Sequence, residues 1–349
     1  MKKNKKSIIS VGILTILLAA CAKSEIYIDY EEGMAVPYPT ATYLSEIVNE
    51  SDNESNQNSH PQIQGMLTSV TYGSNKIYLF GALHVGRHSW QRLDDIVEDA
   101  IANTDVFVFR EDPRAGLPYA ERIQALWRLD EEISLHDIVP TEVMENLADL
   151  IATYRRFPHA SLPTMKPITV VDEFWFEAFR LNGATIVSSG VNVIGRRATD
   201  MGAPIIGLLN NLETAELFAS LSMELQITAL SYIQDLFFYQ LLAWEVISAY
   251  EDNDVAALSQ YFQRYDIEVI RADFENEIIS EAQFLLAQGM HEIETVYRKR
   301  LSYAIAELLR DTEEPTTFFL TIRMSDLFND RTIFRDVEEM GATITELFH

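Results

Sequence analysis

The chain is predicted to be an α/β protein in which two strand–helix–strand units, one at each end of the folded part, complete a single mixed sheet around a large helical middle. Three observations point there. Short β-branched and aromatic runs near residues 77–81, 105–109 and 316–322 each end abruptly on glycine, polar or charged residues, the pattern of buried strands. Apolar residues at helical spacing separate the runs. At 349 residues, 48% hydrophobic and 11% aromatic, the chain is long enough for one large domain, or two intimate halves, with a sizeable core.

In chain order, Met1-Lys2-Lys3-Asn4-Lys5-Lys6 is a basic start, and Ile8 to Ala20 is an apolar run too short to span a bilayer comfortably. The run ends Leu18-Ala19-Ala20-Cys21, and Cys21 is the only cysteine. Residues 1–20 resemble a bacterial lipoprotein signal, in which such a cysteine is lipidated and becomes the new N-terminus. An ordinary signal peptide, or an uncleaved anchor that happens to hold a cysteine, is the alternative. Lipidation at Cys21 would place the protein on the extracytoplasmic face of a cell membrane. A single thiol allows no disulfide within the chain.

Residues 21–61 read as the lipidated N-terminus and a tether. From Asn49 to His60 there is no apolar residue to bury after Glu50. The formal charge is −26, with 53 acidic groups against 27 basic ones; the four lysines among residues 1–20 leave 23 if that segment is removed. Without a basic excess there is nothing to displace counterions, so nucleic acid is excluded as a partner.

The folded part is predicted from Gln62. Met66 to Tyr72 alternates like a strand, Gly73-Ser74-Asn75 is a turn, and Ile77 to Gly81 returns, which makes a hairpin. The return strand runs into Ala82-Leu83-His84, placing His84 at the carboxyl edge of the sheet, where ligands and catalytic groups collect in α/β folds. A helix follows on Leu93, Ile96, Val97, Ala100 and Ile101, and Asp105 to Phe109 is the next strand, ending Arg110-Glu111. That spacing predicts neighbouring parallel strands and puts Glu111 on the edge that holds His84. The middle is read as helices over 119–128, 141–155 and 168–181, a short strand at Ile186-Val187, and a strand over 203–209. Long helices cover 213–251, and further helices cover 254–264, 267–288 and 291–310. The end is a strand over 316–322, a helix over 332–340 and a last strand over 341–347.

With these blocks located, the chain resembles the TraB/GumN family, which includes Tiki-type proteases and lies near the ChaN-like and erythromycin-esterase-like folds. The resemblance runs from about Leu67 to the C-terminus. It rests on Gly81-Ala82-Leu83-His84 as a first Gly-x-x-His block, Lys166-Pro167 with the aromatic helix after it, Gly190-Val191-Asn192, Arg197-Ala198, Gly207-Leu208, Leu221 to Gln226, and the ending Met340 to Ile344. It implies a site at which histidine and carboxylate ligands hold a divalent metal that activates water or polarises a peptide carbonyl.

The departures bear on that implication. Where the family pattern has a glutamate at the end of the second strand, the chain has Arg110, followed by Glu111. Asn192 stands for an aspartate and Leu209 for a glutamate, the late-helix Arg-Asn pair becomes Arg300-Leu301, and the second Gly-x-x-His becomes Arg323-Met324-Ser325-Asp326. The candidate catalytic residues are therefore His84 and Glu111. The candidate metal ligands are His84, Glu111 and Asp326, with Gly81, Arg110 and Arg300 as other site residues. An arginine cannot ligate a metal, because it stays protonated. The leading expectation is a cell-envelope lipoprotein that binds a peptide or protein as a scaffold, with a degenerate site and reduced or absent activity. The alternative is a metal-dependent peptidase using His84, Glu111 and Asp326. A haem- or iron-binding lipoprotein is a second alternative on fold analogy alone.

Overall fold

The computed structural model describes residues 66–87, 90, 93–111, 119–153, 161–186, 188–233, 236–264, 266–328 and 332–347. The expected signal segment, Cys21 and the expected tether, together with His60, His88, His159 and His349, lie outside the described residues. No helix among the described residues is long and apolar enough to cross a membrane.

The strands are β1 (Met66–Tyr72), β2 (Asn75–Ala82), β3 (Gly86–Arg87), β4 (Val106–Glu111), β5 (Ala184–Thr185), β6 (Ile205–Leu209), β7 (Thr317–Arg323) and β8 (Thr343–Glu346). The helices are α1 (Asp95–Ala102), α2 (Ala120–Leu126), α3 (Leu135–Ile138), α4 (Thr141–Thr153), α5 (Pro167–Leu181), α6 (Gly190–Asp200) and α7 (Asn211–Ala219). They continue with α8 (Met223–Ser231), α9 (Leu236–Glu251), α10 (Val255–Gln263), α11 (Ile267–Glu275), α12 (Glu281–Asp311), α13 (Met324–Phe328) and α14 (Arg335–Glu339).

Six strands make one mixed sheet in the order β6-β4-β7-β2-β1-β8, so the α/β expectation holds. The β1–β2 hairpin forms as predicted, Met66 opposite Gly81 and Tyr72 opposite Asn75. Its turn needs Gly73, whose φ is +58°, a value that favours a residue without Cβ. β2, β7, β4 and β6 run parallel, so their carboxyl ends share one edge. β4 and β7 are buried at every position after their first, which means that both faces of the sheet are covered.

The lateral order corrects the expectation of neighbouring strands. β7 lies between β2 and β4, and β8 pairs antiparallel with β1 instead of lying beside β7. Periodicity marks a strand but not its place in the sheet. The run Thr317-Phe318-Phe319-Leu320-Thr321-Ile322-Arg323 is buried at every position after its first, and it takes the centre. Phe319 packs there between Phe80 and Phe107, at ring-centroid distances of 5.8 and 5.9 Å.

The helical middle also differs in its breaks. The chain leaves α11 at Asn276 and Glu277, the latter at φ 55°, and restarts at a capping box in which Ser280 and Gln283 bond each other's backbone. α12 then runs unbroken through Gly289, where a break was expected. A Cβ at that position would lie 2.9 Å from Leu225 Cδ1, so the glycine serves close packing of α8 on α12. The short strand is Ala184–Thr185, ahead of the expected Ile186-Val187; it pairs antiparallel with β3. Gly86 in β3 is forced by proximity, because a Cβ there would sit 2.0 Å from the Ser188 carbonyl oxygen. The segment after His84 is thereby tied down, and Trp90 adds a hydrogen bond from its Nε1 to Glu251 at 2.9 Å.

Candidate functional site

The carboxyl edge of the four parallel strands holds a cluster of buried charged side chains. β4 contributes Arg110 and Glu111 at its last two positions, both 6% exposed. β7 contributes Arg323 at its last position, and the chain turns straight into α13, which carries Asp326 one helical turn later. α12 supplies Glu294, Tyr297 and Arg298, spaced so that all three lie on one face of the helix. His84 follows β2. Gly81 lets that strand end approach α13, for a Cβ there would lie 2.5 Å from Leu327 Cδ1.

Arg323 is the centre of the cluster. Its Nη1 and Nη2 donate to the two oxygens of Glu294 at 2.9 and 2.7 Å, while its Nε and Nη2 donate to the two oxygens of Asp326 at 3.2 and 2.9 Å. The guanidinium also lies 4.4 Å from the Tyr297 ring centroid, within cation–π range. Arg298 Nη2 donates to Glu294 Oε2 at 3.3 Å, and its Nε is 3.9 Å from Asp326 Oδ1. Arg110 Nη1 donates to the Tyr297 hydroxyl at 3.1 Å, and Arg110 Nη2 stands 3.7 Å from Glu111 Oε2. Three guanidinium groups thus face three carboxylates, and the cluster is neutral as a whole.

Burial opposes ionisation of Arg110, but Glu111 first and then Tyr297 sustain it, and its pKa lies above the usual arginine value. Burial pushes the Tyr297 phenol well above its ordinary range and keeps it protonated. His84 is held well below its ordinary 6.5, first by burial and then by the positive fields of Arg110 and Arg323. The residue as a whole is half-buried, yet its Nε2 is out of contact with solvent and has no hydrogen-bond partner. The surroundings of that atom, more than the residue's mean exposure, decide its ionisation, so His84 is neutral near pH 7. Glu111 Oε1 is likewise buried without a hydrogen-bond partner.

The His84 shift has a sign that can be checked. In the unfolded chain the imidazole takes up a proton as pH falls through about 6.5, while the folded form resists it. Acid therefore favours unfolding, and this contribution to stability is present above that pH and declines below it. Urea midpoints of wild type and His84→Gln at pH 7.5 and 5.5 are expected to show a smaller acid loss in the variant. Equal losses would mean that His84 titrates alike in both states.

The residues expected from sequence are only partly gathered. Arg110, Glu111 and Asp326 join the cluster, and His84 lies within the fields of its arginines. The β4–β6 register keeps one offset from Phe107 opposite Ile205 to Glu111 opposite Leu209, so no extra residue moves Glu111 into the position of Arg110. Arg300 is exposed; α12 turns Arg298 inward instead. Asn192 is buried and bonds the Ile186 carbonyl at 2.7 Å, a structural role at the start of α6. Glu294, Tyr297, Arg298 and Arg323 were not predicted as site residues. The available signal was that Glu294 and Arg298 interrupt the apolar stripe Leu286, Met290, Ile293, Tyr297, Leu301 and Ile305 on the buried side of the helix.

The cluster does not suit a metal ion. Among the described residues no three His, Cys, Asp or Glu side chains stand close enough to hold one. Both oxygens of Asp326 accept hydrogen bonds from Arg323, and Arg110 brings a positive charge to the same edge. A groove of about 350 Å³ opens beside β6, bounded by Tyr119, Ile206, Leu209 and Asn210.

A family model described as the TraB/PrgY/gumN family matches residues 66–346. No curated protein and no solved structure matches the chain.

Proposed function

The chain belongs to the TraB/PrgY/gumN family, and from that premise we propose that it serves as a lipid-anchored binding or scaffold protein of the cell envelope. In this reading the site that resembles a Tiki-like hydrolase centre has been closed by arginine. One observation carries it: the Arg323 guanidinium, 1% exposed, bridges Glu294 and Asp326. A metal site keeps ligand lone pairs directed at a common point and one position open for water. Here the carboxylates are directed at a guanidinium. Arg110, Arg298 and Arg323 balance Glu111, Glu294 and Asp326, so no excess negative charge is left to attract a cation.

The anchor is Cys21, at the end of the apolar run, with residues 22–61 as the tether. Binding belongs to the surface of the domain and not to the sealed cluster. The groove beside β6 is a natural place to seek a peptide, because β6 is a sheet edge and an extended chain can add to such an edge.

The test uses the full-length protein extracted in detergent, with metal content and peptide hydrolysis measured on wild type and His84→Ala. The expected result is substoichiometric divalent metal in both and no hydrolysis that depends on His84. A stoichiometric metal present in wild type and lost in His84→Ala would overturn the arginine-closed site and restore the peptidase reading. In cells fractionated without detergent, Cys21→Ser is expected to move the protein out of the membrane fraction; unchanged membrane retention would remove the lipid anchor.

A further inference from the structure

We infer that the outer face of α9, with Leu241 and Trp244 and with Leu181 beside it, lies on the surface of the phospholipid bilayer to which the chain is anchored. The inference rests on the lipid-anchored reading and adds which side of the domain meets the membrane. From Leu236 to Trp244, α9 carries no charged residue, in a chain that is 23% charged. A helix so apolar is ordinarily buried on every side. The inner side of α9 is core, with Leu242, Ala243, Val246 and Ile247 buried. Its outer side is not: Leu241 is 45% and Trp244 49% exposed, one turn apart on one face. Asn182 Nδ2 donates to the Gln240 carbonyl at 2.8 Å, which brings the end of α5 to α9 together with Leu181, 40% exposed. The nearest charge in sequence, Glu245, is paired with Arg264 at 3.9 Å.

The placement of this face says what covers it. β1 starts at Met66 opposite Gly81, so the chain arrives from Cys21 at the carboxyl edge of the parallel strands. α9 lies over the same edge. Its Tyr250 packs on Trp90 at a ring-centroid distance of 5.1 Å. The Tyr250 hydroxyl is 3.7 Å from where a Cβ of Gly190 would stand, beside Ala82 at the end of β2. Residues 22–65 separate Cys21 from Met66, and a tether of that length spans about 36 Å on average. The anchor and the apolar face are therefore on one side of the domain, and the anchor is near enough to hold the face down. Tryptophan suits the boundary between headgroups and acyl chains, where the ring is buried and its N–H stays in the wet layer. With 16 residues α9 is too short to cross a bilayer, so it lies along the surface. A second copy of the chain would set another charge of −26 against the first, whereas zwitterionic headgroups carry no net charge to oppose contact.

The experiment uses the full-length protein, extracted in detergent and returned to phosphatidylcholine vesicles whose lipids are either plain or brominated near the top of the acyl chains. Bromine quenches a tryptophan that touches it. Trp90 and Trp175 are buried and Trp127 is half-buried, so Trp244 is the tryptophan that lipid can reach. The expected result is lower tryptophan emission in brominated than in plain vesicles. At least half of that loss is expected to disappear in Trp244→Ser, and likewise in a double variant carrying Leu181→Glu and Leu241→Glu, while both proteins stay anchored. Equal emission in the two kinds of vesicle, from a protein that floats with them, overturns the inference and leaves the anchor standing. A loss unchanged in either variant overturns it too. A wild-type protein that does not float with the vesicles removes the anchor, and the inference with it. Cross-linking of the wild type into dimers in plain vesicles, prevented by Leu241→Glu, would assign the face to a second copy and also overturns the inference.

Discussion

Replacing Glu294 with alanine is expected to lower the unfolding free energy by about 3–5 kcal/mol, the usual penalty for removing one partner of a buried ion pair. Glu294 is 2% exposed and accepts two hydrogen bonds from Arg323 and one from Arg298. Its loss leaves three guanidinium groups against the two carboxylates of Glu111 and Asp326, a net positive charge sealed inside the domain. Desolvation, more than the lost attraction, sets the size of the effect, because water cannot enter to compensate the orphaned donors. Glu294→Gln keeps the volume and one acceptor oxygen, so it should fall between alanine and wild type. Urea unfolding of the three proteins gives the order directly. A cost for alanine below about 1 kcal/mol, the range of exposed pairs, would show that the cluster is solvated.

The second large effect is at Phe319. Phe319→Ala is expected to destabilise by about 3–5 kcal/mol, through lost burial plus the cavity left behind. The ring is fully buried at the middle of the central strand and touches the rings of Phe80 and Phe107 on the strands to either side. Phe319→Leu should cost clearly less, since it removes less volume and the neighbours close part of the gap. Denaturant midpoints with unchanged slopes would locate the effect in the native state. An alanine variant as stable as the leucine variant would show that the sheet collapses around the site and that its centre is not tightly packed.

Much of the sheet could be read in the sequence because each strand is a short run with clear punctuation. The hairpin turn at Gly73, the strand ending at Glu111 and the last strand after Gly341 all fall where those signals place them. Lateral order could not be read, since the run from Thr317 is as apolar as the one from Val106 and neither names its neighbours. The site was legible in its edge and obscure in its logic. His84, Arg110, Glu111 and Asp326 could be located by what precedes them on strands, whereas Glu294 and Arg298 sit within a 31-residue helix whose charged residues mostly face water. Arg300 shows the difficulty: two positions on from Arg298, it lies on the other side of the same helix and is exposed. The departures at Arg323 and Asp326, each a lost feature when read alone, are one compensated exchange once the hydrogen bonds between them are seen.

The central place of β7 has a consequence in time. β1, β2 and β4 are complete by residue 111, yet the strand that joins β2 to β4 begins only at Thr317. Until β7 emerges during synthesis, the facing edges of β2 and β4 lack the strand that joins them. Contacts so distant in sequence slow folding, and the exposed apolar edges invite wrong pairings while the chain waits. A chain truncated just before Thr317 would lose the middle of its sheet, not an outer strand. The centre of this sheet is therefore the part that is made long after its flanks, and the four parallel strands join only once β7 has been made.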